Sequence, residues 1–322
     1  MTRIPIVLAL LLSFSCASPE KPATLTKVRL NMNPSMTYAP LMIAKDEGYF
    51  AAEGIDAEFV TLDTNSAVAA TIAGKIDVLS QGLRSSVFNM ILQGQPLRVV
   101  AGKGHSDPSG CTAEAFIAPI ATARAIEAHG GSLEGQRFGI IRGGSIEYLT
   151  TRFLEARKTN PDRVVILQMP QGTFASARDK FDGVRLTTEP NLSSALSEGW
   201  AAIVARSDDV APRTQNAMLV YGKRLLQTEP EVGHRFMRAY LRGARTYNEG
   251  KTARNVEIIS RYTKLSPDIV RRSCWTAIEP DGRIDPKSVQ PFLDWAVKKH
   301  YLNAPIAVSQ WWDPTFVDAA AR

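Results

Sequence analysis

Val28-Arg29-Leu30-Asn31-Met32-Asn33 is followed, after a short loop, by Tyr38-Ala39-Pro40-Leu41-Met42-Ile43-Ala44-Lys45-Asp46-Glu47-Gly48-Tyr49-Phe50. The first run has the length and composition of a strand. The second predicts a helix over 38–52, with Leu41, Ala44 and Ala52 among its apolar positions and Glu53-Gly54 as its stop. Ile55, Ala57, Phe59 and Thr61 then alternate with Asp56, Glu58 and Val60, which predicts a second strand over 55–62.

Working outward, the same order repeats. Asn65 or Ser66 can cap a helix that runs to Ala73 and ends at Gly74. Asp77–Ser80 is a short strand, Ser85–Leu92 a helix closed by Gly94, and Leu97–Ala101 another strand. This order implies crossovers, right-handed connections and a largely parallel sheet, whose strand carboxyl ends form one edge where ligands sit. A second unit follows. It has an apolar run at 115–120, a helix at 122–129 broken by Gly130-Gly131, and a strand at 137–141. A helix at 145–158, the turn Asn160-Pro161-Asp162, and strands at 164–169 and 200–205 complete it. Residues 170–189 give no assignment. After Pro212 come a strand at 216–220 and helices at 230–249, 252–262, 267–274, 286–300 and 311–321. No fixed-period repeat is visible, which argues against a solenoid.

The chain has 322 residues, more than one core usually serves, so two lobes are expected. Arg3, the apolar stretch Ile4–Leu12 and the small residues before Cys16 read as an export signal over 1–16, too short to cross a bilayer. Cys16 leads into a polar linker over 17–26. Cleavage by the ordinary signal peptidase, for instance after Ala17, is the other reading; either way the domain folds outside the cytoplasm. Cys111 and Cys274 remain, as one disulfide or as two buried thiols. The formal net charge is +6, and loss of a signal containing Arg3 would leave +5. The basic residues are scattered, unlike the concentrated face of a nucleic-acid binder, so no nucleic-acid partner is expected.

The Tyr38–Phe50 stretch, with Ala51-Ala52-Glu53-Gly54-Ile55, resembles the periplasmic binding proteins for nitrate, sulfonates, taurine and thiamine pyrimidine precursors. These are substrate-binding components of ABC importers. Thr71-Ile72-Ala73-Gly74-Lys75-Ile76-Asp77-Val78 resembles the family's helix-turn-strand before the second cleft loop. Gly135–Ile140 with Gly143–Leu149, Thr188-Glu189-Pro190, and Arg235–Gly243 resemble further family segments, as do Asp281–Asp285 and Asp313–Val317. The resemblance runs from about Val28 to Ala320. One departure is Phe181-Asp182-Gly183-Val184, where the family shows a Gly-x-Asp-Ala strand. Cys16 resembles a lipobox cysteine, although Ser13 stands where the family prefers Leu.

The resemblance implies an α/β, type II periplasmic-binding-protein fold, with two mainly parallel sheets joined by a two-crossing hinge near Cys111 and Pro212. Lobe one would comprise 27–112 plus 213–322, and lobe two 113–212. It also implies a monomer that hands a small-molecule ligand to a permease and ATPase, tethered to a membrane through a lipid on Cys16, with no cofactor.

Gly143-Gly144-Ser145 opens a helix whose first N–H groups, with Ser145 Oγ, can hold an anion or carbonyl; a plain N-cap is the structural alternative. Glu147 stands in the same motif. Ser85 and Ser86 open a helix in the first lobe and would face Ser145 across the cleft, with Arg84 beside them. Asn33, Met36 and Tyr38 follow the first strand; Asn can fix polar ligand atoms and Tyr can stack on a ring. Glu189 would accept from a ligand N–H or from a hinge backbone group. His105 and Ser106 stand near the crossover. An enzyme on the same fold and a ligand-sensing module are the rival readings. Against the first, Gly143-Gly144-Ser145-Ile146-Glu147 lacks the final Gly of a nucleophile elbow. His105, His129, His234 and His300 lack zinc-ligand spacing, so no metal is expected.

Overall fold

The computed structural model describes residues 24–169 and 181–321. The export signal, Cys16 and most of the 17–26 linker lie outside the described residues, as does the start of the unassigned 170–189 stretch.

Two five-stranded sheets organise the chain. The first has the order β2-β1-β3-β10-β4 and the second β7-β6-β8-β5-β9. The strands of the first are β1 (Thr26–Asn31), β2 (Ile55–Val60), β3 (Val78–Gly82), β4 (Arg98–Gly102) and β10 (Ala217–Tyr221). Those of the second are β5 (Glu114–Pro119), β6 (Arg137–Ile140), β7 (Val165–Gln168), β8 (Val184–Thr188) and β9 (Ala201–Arg206). We call the units around them lobe one and lobe two. Strands β1 and β2 run parallel in register from Thr26↔Ile55 to Asn31↔Val60. Each sheet also carries one antiparallel strand: β10 between β3 and β4, and β5 between β8 and β9. The reason lies in the connections. The chain leaves β4 at the carboxyl edge of the first sheet and enters the second sheet as β5 from that sheet's carboxyl edge, so β5 must run back; β10 does the same on return. The crossings therefore bring the carboxyl edges of the two sheets together.

The helix expected over 38–52 is split into Ala39–Asp46 and the single turn Tyr49–Ala52. Gly48 between them takes φ 72°, a left-handed conformation that glycine adopts without a Cβ clash. The predicted 286–300 helix starts with a separate turn and becomes regular over Gln290–Lys298. Pro314 divides the 311–321 prediction into Val308–Trp311 and Thr315–Ala320, since proline cannot donate to the preceding turn. Part of the stretch without an assignment forms β8, which the helix Asn191–Ser197 follows.

The long helix Pro230–Asn248 shows how lobe one is packed. Its buried Phe236, Met237, Tyr240, Leu241 and Ala244 follow helical spacing and cover the outer face of the first sheet. It crosses the Ala39–Asp46 helix at Gly243, where an added Cβ would lie 2.2 Å from the carbonyl oxygen of Pro40. The other face of the sheet meets Phe88, Phe292 and Trp311, in an apolar cluster that continues into lobe two through Tyr148, Phe153 and Phe138. Trp295 of the Gln290–Lys298 helix donates to Thr151 Oγ1 of the Ser145–Ala156 helix at 3.3 Å. In lobe two, Gly183 marks the departure from the family pattern; a Cβ there would lie 2.2 Å from the Arg137 carbonyl. Cys111 and Cys274 form a disulfide that ties the first crossing to the C-terminal part of lobe one. Among the described residues, no helix is long and apolar enough to cross a membrane.

Candidate functional site

The site is built where the two carboxyl edges meet. Beyond β3 the chain turns at Gly82-Leu83-Arg84 and starts the Ser85–Leu92 helix. Beyond β6 it turns at Arg142-Gly143-Gly144 and starts the Ser145–Ala156 helix. Gly143 has φ 70°. The two turns touch. Ser85 N and Ser85 Oγ both donate to Gly143 O, at 3.0 and 2.9 Å, and Ser145 N donates to Leu83 O at 3.0 Å. Arg84 and Gly144 pair as an antiparallel bridge, and Arg84 Nη2 donates to Arg142 O at 3.2 Å. The first-turn amides that the sequence assigned to a guest are thus donated across the junction in this closed form.

A second contact lies beyond β1 and β8. Met36, fully buried, donates its N–H to Glu189 O at 3.2 Å. Glu189 Oε1 accepts from Cys274 N at 3.0 Å and from Ser193 Oγ at 2.8 Å, and its Oε2 accepts from Ser193 N at 2.9 Å. The Glu189 carboxylate is thus bonded to backbone N–H groups of both lobes. Glu147 is likewise committed to the protein. Its Oε2 accepts from Gly143 N at 2.7 Å, shaping the turn, and its Oε1 accepts from Tyr301 Oη at 3.0 Å, from the opposite lobe.

Tyr38 is buried and donates to Ser80 O at 2.6 Å; burial pushes its hydroxyl up to about 12, so it stays protonated. Its ring lies 3.2 Å, centroid to Nζ, from Lys103, which donates to Thr37 Oγ1 at 3.1 Å. Lys103 is fully buried, and that burial holds its ammonium well below the ordinary lysine range. Asn33 is partly exposed in the same loop. His105 stands apart on the first crossing, with its N–H on Ala277 O at 3.0 Å and Nε2 3.2 Å from Glu279 Oε1.

Among the described residues, several buried polar atoms at these strand ends have no partner: Ser80 Oγ, both side-chain heteroatoms of Gln81, Arg84 Nε, Ser86 Oγ and Thr187 Oγ1. Burying such atoms unpaired is costly, and these six lie at or just beyond the carboxyl ends of β3 and β8. Ser86 was singled out in the sequence; Gln81, Lys103 and Thr187 were not. Their only signal in the sequence is position, at or just beyond the carboxyl end of a strand.

The family model described as NMT1/THI5 like matches residues 35–249. The chain belongs to that family. Among solved structures it is similar to the ligand-binding component of an ABC-type import system from Staphylococcus aureus, solved with zinc bound. Identity is 20%, coverage is 91% of this chain and 98% of that one, and the TM-score is 0.77. It is also similar to the alkanesulfonate-binding protein SsuA from Xanthomonas axonopodis pv. citri bound to MOPS, at 16% identity, 91% and 99% coverage and a TM-score of 0.69. The desulfurization enzyme DSZB shares the fold at 14% identity, 92% and 98% coverage and a TM-score of 0.64. A search of curated protein sequences found no match. These likenesses establish the two-lobed periplasmic-binding fold. Among the described residues, no group of three His, Cys, Asp or Glu side chains is placed to hold a metal ion.

Proposed function

We propose that the chain is the extracytoplasmic solute-binding component of an ABC importer, capturing a small organic molecule between its lobes and delivering it to a membrane permease driven by an ATPase. Residues 27–112 and 213–322 form one lobe and 113–212 the other, with the crossings near Cys111 and Pro212 as the hinge. Cys16 carries the lipid that holds a monomeric protein at the membrane. The observation that carries this reading is the junction itself. Two helix starts, Ser85 and Ser145, meet within hydrogen-bonding distance of the opposing turns, and unpaired buried polar atoms lie on the strand ends around them.

When the lobes separate, the amides of Ser85 and Ser145 are released together with the Gly143 and Leu83 carbonyls. A guest that bonds to both lobes then favours closure by its differential affinity for the closed state. Asn33, Ser86, Gln81 and Thr187 supply further polar contacts, and Met36 and Tyr38 close the side. An enzyme that used Ser85 as its nucleophile would need a base to take the hydroxyl proton. Ser85 Oγ instead donates to a carbonyl oxygen, which leaves its proton in place rather than removing it.

A thermal-shift screen against sulfonates, nitrate and aminopyrimidines tests the reading. A compound present at a hundred times its dissociation constant stabilises by about 2.7 kcal/mol. For a chain of this size that raises the melting temperature by roughly 5 °C. The reading fails if no small molecule in a broad panel moves the transition, or if a stabilising compound is chemically turned over.

A further inference from the structure

A cavity of about 150 Å³ lies between the two crossings and is walled from both lobes. His105, Ser106, Asn216 and Trp275 line it from lobe one, and Glu114 and Asp208 from lobe two. Glu114 opens β5, whose remaining residues are Ala115-Phe116-Ile117-Ala118-Pro119. It is 8% exposed. The other acids nearby are satisfied: Asp208 by the Thr112 side chain, and Asp107 by Ser109 N and Oγ. Glu114 has no hydrogen bond or ion pair to its carboxyl group among the described residues; the one charge acting on it is Asp208, of the same sign. A buried carboxyl group without a donor opposes folding, and a leucine or glutamine would fit the strand at lower cost. Its placement on a cavity wall gives it something else to meet.

Trp275 lines the same cavity and is held in place by two contacts. Its ring stacks on Tyr247 at 5.0 Å, and its indole N–H donates to Val270 O at 3.1 Å. An indole ring and a carboxyl group lining one small cavity are the combination that recognises an ammonium ion, through the ring quadrupole and through charge. An anion would meet Glu114 and Asp208. A divalent metal would require more than one unengaged ligand, and no cluster of that kind is present among the described residues.

We propose that this cavity is a subsite for a small organic ammonium group, carried by the captured solute; the proposal rests on the capture reading above. Because its walls come from both lobes, filling it favours the closed form. Burial, with Asp208 beside it, pushes the Glu114 carboxyl up to about 8, so at pH 7 it holds a proton. The entering ammonium displaces that proton to solvent and pairs with the carboxylate. The titratable groups around Glu114 are Asp208, Asp107 and His105, with Glu279 beyond His105; the charges of Arg206 and Arg213 act on Asp208 and Asp107.

Ethylammonium chloride is the probe, with ethanol and sodium acetate as controls at matched ionic strength. Calorimetry at pH 7 in two buffers of different ionisation enthalpy reads affinity and proton release together. Ethylammonium should bind with release of close to one proton, the controls should not bind, and Glu114→Gln should weaken binding at least tenfold and abolish the release. The proposal is overturned if ethylammonium does not bind, if it binds without proton release, if zinc or calcium binds in its place, or if the folded variant binds it as well as wild type. Should Glu114→Gln fail to fold, proton release in the wild-type protein decides the matter. If compounds of the thermal-shift panel stabilise the protein while ethylammonium does not bind, this subsite falls and the capture reading stands.

Discussion

Lobe one and lobe two follow one plan, five strands with an antiparallel strand one place in from the edge, but they are covered differently. In lobe one, apolar clusters lie on both faces of the sheet, and every residue of β10 is buried. In lobe two, one face shares the large cluster that reaches across from lobe one. The other has the small group Ala115, Ile117, Leu192, Ala195 and Ala201. Its edge strands are open to solvent at Val165, 48% exposed, and Ile203, 40% exposed. The disulfide adds to the asymmetry, because it fastens the first crossing to lobe one. We read lobe one as the platform and lobe two as the lighter body that swings on it.

Removing the disulfide should break that asymmetry most. Cys111 and Cys274 are 163 residues apart, so replacing both with alanine frees a long loop in the unfolded chain and should cost about 5 kcal/mol. The loss, read as a shift of the denaturant midpoint, should be accompanied by faster proteolysis within the first crossing. An unchanged midpoint would mean that the crossing is not held by this bond.

Glu114 tests the seam between the bodies. Its folded value of about 8 lies above the ordinary glutamate value of 4.5. The folded protein therefore keeps a proton that the unfolded chain has released between these pH values. Stability falls as pH rises from about 4.5 to 8 and levels off above that. Glu114→Gln cannot ionise and removes this decline. It should match wild type near pH 4.5 and exceed it by on the order of 3 kcal/mol at pH 7, in denaturant titrations across pH. Parallel curves for the two proteins would contradict the unpaired state of this carboxyl group.

The smallest effect comes from two glycines with the same close approach, a would-be Cβ 2.2 Å from a carbonyl. Gly243→Ala forces apart two buried helices of lobe one and should cost about 2 kcal/mol. Gly183→Ala meets the Arg137 carbonyl at 2.2 Å and the buried Phe181 ring at 2.7 Å, but in the more lightly covered lobe. Its cost should be smaller, and melting temperatures of the two variants would rank the rigidity of the lobes. A reversed order would contradict the platform reading.

The same asymmetry governs what the sequence made legible. Lobe one was readable because many of its helices end at glycines, as at Gly54, Gly74 and Gly94, and carry regular apolar spacing, as in Arg235–Gly243. Strand β8 was not, because Arg185, Thr187 and Thr188 interrupt its apolar run; they are polar at the junction end rather than turn residues. At the candidate site, Ser85 and Ser145 were visible as helix starts after glycine-containing turns. Their direct pairing was not, since it depends on how the edges meet. Gln81 and Glu114 were also hidden, because lacking a partner is a property of three-dimensional surroundings and leaves no local pattern; Lys103 was hidden because its burial over the Tyr38 ring comes from tertiary packing.

Small-angle X-ray scattering of the protein alone and with a compound that raises its melting temperature addresses the closing of two hinged bodies most directly. The account predicts a fall in the radius of gyration on binding, to the value calculated for the form in which Ser85 bonds to Gly143. A stabilising compound that leaves the scattering curve unchanged, with the free protein already at or above that size and staying there, would contradict it.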